Sequence, residues 1–380
     1  MTHAASKRIL YVCALEIAKQ DGPALHVEAV VKRMAAMGHR VTLIQVGNHN
    51  IKGVDVVPLD NPPAGLFRGA KLRNAMQKEI EKQLKAGDVR ALYMRGSFPG
   101  ILRQAKNFNV KLVVEYNSVL AQELEVAKVS KLRRWLQLAR ESYVARGCDA
   151  AVAVDSATQK EMIKLYPSLR TKCVEILNGC DVEAFEPHAG DDVDPKRIVF
   201  VGTFFPWARI DLCIEAFATL GEGFHFDIIG DGQRRDELKS LAEKLGVGER
   251  IKFHGRLPHQ EIPPLLARAA LGLAIEADGF TGSLPLKVSE YLAAGCVLVA
   301  NRYDCHTELE KLGHAKLVDN PPSSDGIANA IKTALESVAN DSNGAKARHQ
   351  YAKEHLSWNR TTNEIVKLID GLESQGGDKA

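Results

Sequence analysis

Residues able to handle an anionic substrate cluster in one stretch, Asp278-Gly279-Phe280-Thr281-Gly282-Ser283-Leu284-Pro285-Leu286-Lys287-Val288-Ser289-Glu290. It follows an apolar run ending at Ile275 and opens a helical stretch that stops at Gly295. Glycines ahead of a helix expose backbone N–H groups where the helix dipole is positive, so Gly282, Ser283 and Leu284 are placed to cradle a diphosphate. Lys287, about a turn into that helix, adds a point charge for the phosphates, and Glu290 is an acceptor for vicinal ribose hydroxyls. A loop followed by a solvated amphipathic helix would leave the same spacing. A second stretch, Phe200-Val201-Gly202-Thr203-Phe204-Phe205-Pro206-Trp207-Ala208-Arg209, repeats the plan of strand, glycine and loop, and Arg209 is either a further diphosphate contact or a surface charge. Arg256 and Leu257 follow the run 251–255 and offer groups to a base edge, or simply a turn before Pro258. In the first half, Gly22 precedes a helix containing His26, and Glu115 and Asn117 follow the strongest apolar run; a turn or a cap would use the same residue types.

Parallel α/β sheets place such residues beyond the carboxyl ends of their strands. The chain alternates short β-branched runs with helical stretches. Strands are expected at 9–14, 41–46, 54–58, 91–94, 111–116, 150–154 and 174–177. After a polar linker around 190–196, a second series is expected at 197–202, 225–230, 251–255, 271–275, 297–300 and 316–318. Helices are expected at 25–37, closed by Gly38, at 70–85 and at 128–146. The fold class is therefore α/β, two tandem Rossmann-like domains facing a cleft, with one domain over 1–188 and the other over 189–357.

The bulk properties agree with a soluble globular protein: 380 residues, 45% hydrophobic and 26% charged, with no apolar run of the roughly 20 residues needed to span a bilayer. The run 9–14 is followed at once by Glu16, Lys19 and Asp21 and reads as a first strand rather than a signal peptide. Seven scattered cysteines, never in a Cys-x-x-Cys pair, fit a reducing, cytoplasmic setting, and neither they nor the histidines have metal-ligand spacing, so no metal or cofactor is expected. Residues 1–190 carry 28 Lys and Arg against 19 Asp and Glu, a net +9, and the remainder carries −6, giving +3 in all. One half thus suits an anionic partner. The 128–146 stretch, with Leu132, Trp135, Leu136, Ala139 and Tyr143 at helical spacing among basic residues, would rest on an anionic membrane surface or bury that stripe in its own domain. No nucleic-acid-binding motif accompanies the charge. Gly230-Asp231-Gly232 begins like a dinucleotide fingerprint, but Arg235 stands at its third glycine, and no P-loop occurs.

Taken in order, these segments resemble the retaining glycosyltransferases of family four, whose GT-B fold has two facing Rossmann-like domains. The resemblance runs through Gly38-His39-Arg40-Val41, Glu115-Tyr116-Asn117-Ser118, Val152-Ala153-Val154-Asp155-Ser156 and Asn178-Gly179-Cys180-Asp181 with Phe185. It continues through Phe200-Val201-Gly202, Ile229-Gly230-Asp231-Gly232, Pro285-Leu286-Lys287 and Glu290-Tyr291-Leu292-Ala293-Ala294-Gly295. By resemblance, Arg209 contacts the donor diphosphate, Glu290 holds the ribose, Arg256-Leu257 lie near the base, and Gly22 belongs to a loop near donor and acceptor. A terminal helix over 358–374 would join the first domain. The chain departs from the family where Gly282 stands eight positions before Glu290 in place of a glutamate, where Thr203 replaces an arginine, and where Glu115–Ser118 lack a histidine. The resemblance implies a nucleotide-diphosphate sugar donor, a glycan, lipid-linked or small-molecule acceptor, and retention at the anomeric carbon. A nucleotide-sugar-binding protein without transferase activity and a sugar-nucleotide epimerase are the alternatives.

Overall fold

The run Arg8–Glu16 forms the central strand, β1, of the first sheet, with Ile9 through Cys13 fully buried. A strand apolar on both faces needs cover on both, which is the condition of a parallel sheet wrapped by helices. In the computed structural model, which describes residues 7–19, 21–63, 68–96, 98–126, 129–185, 193–277, 284–340 and 343–377, this strand has two parallel neighbours. They are β2 (Val41–Val46) and β4 (Val89–Arg95), with Leu10 opposite Thr42 and Leu92. With β3 (Asp55–Leu59), β5 (Lys111–Tyr116), β6 (Ala150–Ala153) and β7 (Cys173–Glu175), the order is β3-β2-β1-β4-β5-β6-β7.

The second sheet contains β8 (Asp194–Val201), β9 (His225–Ile229), β10 (Ile251–Gly255), β11 (Ala269–Ala274), β12 (Val297–Asn301) and β13 (Ala315–Val318). Its order is β10-β9-β8-β11-β12-β13, with every pairing parallel. Strand order reverses between β8 and β11, and between β1 and β4 in the first sheet; ligands of doubly wound sheets sit at such points. β8 begins at Asp194, inside the stretch expected as linker, because Asp194 pairs with Ala269 and Pro195 lies at the strand's start, where a missing N–H is tolerated.

The chain divides into two units, Met1–Leu177 with Trp358–Ala380, and Asn178–Ser357. In the first, the Gly22–Ala36 helix starts three residues earlier than the sequence pattern suggests, because Asp21 caps it by accepting from the Ala24 N–H at 3.1 Å. The Trp358–Gly377 helix returns to this unit: Trp358 meets the His26 ring edge-on at 5.2 Å, and Arg90 binds Asp370 at 2.6 Å. The Lys131–Gly147 helix turns Glu141, Val144 and Ala145 inward. Leu132 and Trp135 are 69% and 64% exposed, and Leu136 and Tyr143 are exposed too, so the apolar stripe faces outward. Among the described residues, no helix is long and apolar enough to cross a membrane.

Candidate functional site

In the second unit, the chain leaves β8 at Gly202 with φ +148, a conformation that favours glycine. Its N–H bonds the Ile229 carbonyl at 2.9 Å. The Gly230 loop packs directly on it: a Cβ at Gly230, itself at φ +132, would run into the Gly202 carbonyl. This explains Gly230-Asp231-Gly232 without a dinucleotide. The glycines let the ends of β8 and β9 touch.

The Leu286–Ala293 helix starts at the reversal point. Tyr291, fully buried, fixes it there by accepting from the Val201 N–H at 2.8 Å, while His349 bonds the Ala293 carbonyl at 2.6 Å and Arg348 the Gly295 carbonyl just past the helix at 2.8 Å. Lys287 is the second helical residue, closer to the helix start than the sequence spacing suggests. Its ammonium lies 4.4 Å from the centre of the Phe200 ring and 3.2 Å from where a side chain on Gly202 would begin. No carboxylate among the described residues reaches ion-pair distance of it, and burial draws its pKa below the ordinary lysine value, against the pull of Glu276. Among the described residues the ammonium is thus a half-buried cation resting on an aromatic face with no carboxylate at ion-pair distance.

Arg209 ends the loop that follows Gly202, and its N–H bonds the Ile275 carbonyl at 3.0 Å. Its guanidinium forks onto Asp211, with contacts of 3.1 and 2.8 Å, and Arg234 reaches the same carboxylate at 3.4 Å. The fork raises the Arg209 pKa, and the two cations outweigh burial in holding Asp211 low. Glu290, one turn beyond Lys287 and on the same side of the helix, is buried and accepts from His259 Nε2 at 2.8 Å. This bond lifts the His259 pKa against the effect of burial. The His259 ring stands edge-on to Phe185 at 5.8 Å, and so the far end of Asn178-Gly179-Cys180-Asp181 with Phe185 supports the glutamate's partner. Arg256 is exposed and Leu257 half-buried in the turn leading to His259; Thr203 is exposed and Leu284 buried. Gly282 and Ser283 lie outside the described residues.

The structure thus joins Gly202 with Lys287, and Glu290 with the turn holding Arg256 and Leu257. It also sets Asp211 on Arg209 and His259 on Glu290. Glu276 stands two residues beyond the end of the switch-point strand β11; nothing in the sequence ties His259 to Glu290.

In the first unit, Glu115 is buried at the end of β5, where Tyr93 donates at 2.6 Å, Arg95 at 2.7 Å and His26 lies at 3.1 Å. Burial raises its pKa, but His26, Arg95 and Tyr93 prevail and hold it well below the usual carboxylate range. The carboxylate is engaged with its own unit. Asn117 is half-buried, and its Oδ1 has no hydrogen-bond partner among the described residues. Gly22 is the first residue of its helix, beside a cavity of about 120 Å³ walled partly by Glu16, Lys19, Asp21, Asn61 and Arg68.

Two doubly wound units in one chain are the make-up of the GT-B glycosyltransferases. A family model described as Glycosyltransferase Family 4 matches residues 20–184, and one described as Glycosyl transferases group 1 matches residues 181–355. The chain belongs to this family of glycosyltransferases. It is 27% identical over 238 residues to an exopolysaccharide phosphotransferase of Streptomyces coelicolor, covering 60% of this chain and 24% of that protein. It is 26% identical over 248 residues to a glycogen synthase of Mycobacterium tuberculosis, covering 63% and 58%. The match therefore spans about a quarter of the first relative and under two-thirds of the second. HepE of Anabaena, solved in complex with UDP-glucose, superposes with a TM-score of 0.74 at 18% identity, covering 96% of this chain and 100% of that one. At that identity the likeness is one of fold.

Proposed function

We propose that this chain transfers a sugar from a nucleotide-diphosphate donor, held by the second unit, to a glycan, lipid-linked or small-molecule acceptor, with retention of anomeric configuration. The observation that carries the reading is the Lys287 ammonium, desolvated against Phe200 and Gly202 and without a counter-ion among the described residues. In this reading Lys287 and Arg209 meet the diphosphate, and Glu290, steadied by His259, takes the ribose hydroxyls. As the bond to the diphosphate breaks, the anomeric carbon gains oxocarbenium character and negative charge moves onto the leaving group. Fixed cations in a poorly solvated site stabilise that charge without reorganising. The acceptor hydroxyl enters on the leaving-group side and passes its proton to a phosphate oxygen, which accounts for retention. The fold shared with HepE, which binds UDP-glucose, favours a sugar nucleotide as the ligand.

The outward stripe of the Lys131–Gly147 helix supports an acceptor met at a membrane. Leu132, Trp135 and Leu136 stand among Lys131, Arg133, Arg134 and Arg140, a composition suited to the cytoplasmic face of an anionic bilayer.

A thermal-shift panel of nucleoside diphosphates and their sugars, followed by assays of transfer and donor hydrolysis, tests the reading. Stabilisation by one nucleotide family together with transfer supports it. Stabilisation without turnover would favour a binding protein, interconversion of the sugar without an acceptor would favour an epimerase, and no stabilisation by any member would remove the donor site.

A further inference from the structure

Asn301, the last residue of β12, is fully buried, and its side-chain amide is turned onto the backbone of the neighbouring segment. Its Oδ1 accepts from the Glu276 N–H at 2.7 Å. Its Nδ2 donates to the Glu276 carbonyl at 3.0 Å and to Asn320 Oδ1 at 2.7 Å. The pairing of β11 with β12 has ended one residue earlier on β12, at Ala274 opposite Ala300. A carboxamide carries a donor and an acceptor as a peptide group does, so Asn301 prolongs the sheet with a side chain where the two backbones part.

The opposite edge of the same segment carries the loop that ends at Arg209. The Ile275 carbonyl accepts from the Arg209 N–H at 3.0 Å, and the Ala277 N–H donates to the Trp207 carbonyl at 2.7 Å. Between these two bonds, Ala208 forms an antiparallel bridge with Glu276. The Ile275 carbonyl and the Glu276 N–H belong to one peptide group, and the Glu276 carbonyl and the Ala277 N–H to the next. In a planar trans peptide these two polar ends point in opposite directions. Each of the two peptide groups is therefore held by Asn301 on one side and by the Trp207–Arg209 loop on the other. Hydrogen bonds linked in this way polarise one another, so the two sides are coupled. The path from Asn301 Oδ1 through the 275–276 peptide to the Arg209 N–H is continuous.

We propose that Asn301 is a positioning residue of the donor site: it sets the backbone from which the Arg209 guanidinium meets the diphosphate, and it does so without touching the ligand. Its complete burial and its three bonds to protein groups fit that role. The inference rests on the donor site proposed above and on the part given there to Arg209.

A double-mutant cycle tests it, using calorimetric titration with the nucleotide sugar that gives the largest thermal shift. The proteins are the wild type, Asn301→Leu, Arg209→Met and the double variant. Leucine keeps the branched shape of asparagine and removes both donor and acceptor. Asn301→Leu should raise Kd about tenfold, the order of the one charge-assisted hydrogen bond that Arg209 supplies. In the Arg209→Met background the same substitution should change Kd by less than about twofold, while the loss in Tm is the same in both backgrounds. A lower Tm with unchanged Kd would make Asn301 a strut for the fold alone and overturn the proposal, as would an equal loss of affinity in both backgrounds. Asn320 is exposed, so Asn320→Ala serves if Asn301→Leu does not fold. It removes one tie on the amide and should raise Kd about two- to threefold, again only where Arg209 is present; an unchanged Kd there would count against the proposal in the same way. Wild-type affinity in Arg209→Met would instead reject the place of Arg209 in the donor site, and absence of binding by every sugar nucleotide would reject that site itself.

Discussion

Replacing Lys287 by methionine should leave the protein more stable and far less active. The ammonium has no counter-ion among the described residues, and burial depresses its pKa, so the folded protein bears the cost of a desolvated charge. Methionine keeps the length of the side chain over Phe200 and removes that cost. It also forfeits the cation–π contact at 4.4 Å, about 0.5–2 kcal/mol. Apolar replacements of buried ion pairs are neutral to stabilising by ~1–4 kcal/mol, and for this lone, half-buried ammonium the difference leaves a gain of at most about 1 kcal/mol. For a unit of this size that corresponds to roughly 2–4 °C in Tm. The sign has a pH signature. A lysine whose folded pKa lies below its unfolded 10.5 binds fewer protons when folded, so wild-type stability rises as pH climbs from the folded value toward 10.5. The advantage of Lys287→Met should therefore narrow as pH approaches 10.5. In the transfer assay, loss of a preorganised cation at the leaving group should lower kcat by about 10²–10³-fold, or ~3–4 kcal/mol. Calorimetric melting from pH 7 to 10 and initial rates at saturating donor measure both effects. A destabilised variant with near-normal kcat would refute the reasoning, because it would make Lys287 a packing residue.

Other perturbations separate positions that hold the fold from those that serve the ligand. Glu115→Gln should cost about 3 kcal/mol at pH 7 in urea melts, because Arg95 and His26 lose the charge they surround; since Glu115 is held below 4.5, the wild type should shed this stability as pH falls through and below that value. Glu141→Gln should do the reverse. Burial lifts Glu141 to about 7 even though the Tyr166 hydroxyl donates to it at 2.7 Å, so the substitution should stabilise by ~3 kcal/mol above pH 7 and do nothing below about pH 4.5. His259→Ala should weaken nucleotide binding about tenfold, the worth of one charge-assisted hydrogen bond, with little change in kcat, and the effect should vanish in a Glu290→Gln background when Kd is measured by calorimetry.

The strands were legible because burial on both faces writes a dense apolar run. Residues 41–46, 111–116 and 251–255 were read to the residue, and most other strand ends fell within one to three residues. Gly202 was legible as the residue after a strand, Arg209 as part of the loop beyond it, and Lys287 and Glu290 as members of the helix that opens after β11, the positions from which a doubly wound sheet meets a ligand. What surrounds them was not. His259 lies 31 residues from Glu290, and Glu115 gathers His26 from 89 residues away; no periodicity records a pairing made only when strands and helices pack. The outward turn of Leu132 and Trp135 was undecided for a related reason. A helical stripe of apolar residues has the same spacing whether it meets a core or solvent, and here Glu141, Val144 and Ala145 take the inner face instead.

The most direct test is a crystal structure with the nucleotide sugar bound. The account predicts the diphosphate in contact with the Lys287 ammonium at the Gly202 turn, and the ribose hydroxyls on Glu290. A diphosphate bound away from Lys287, or a nucleotide seated on the first sheet, would contradict it.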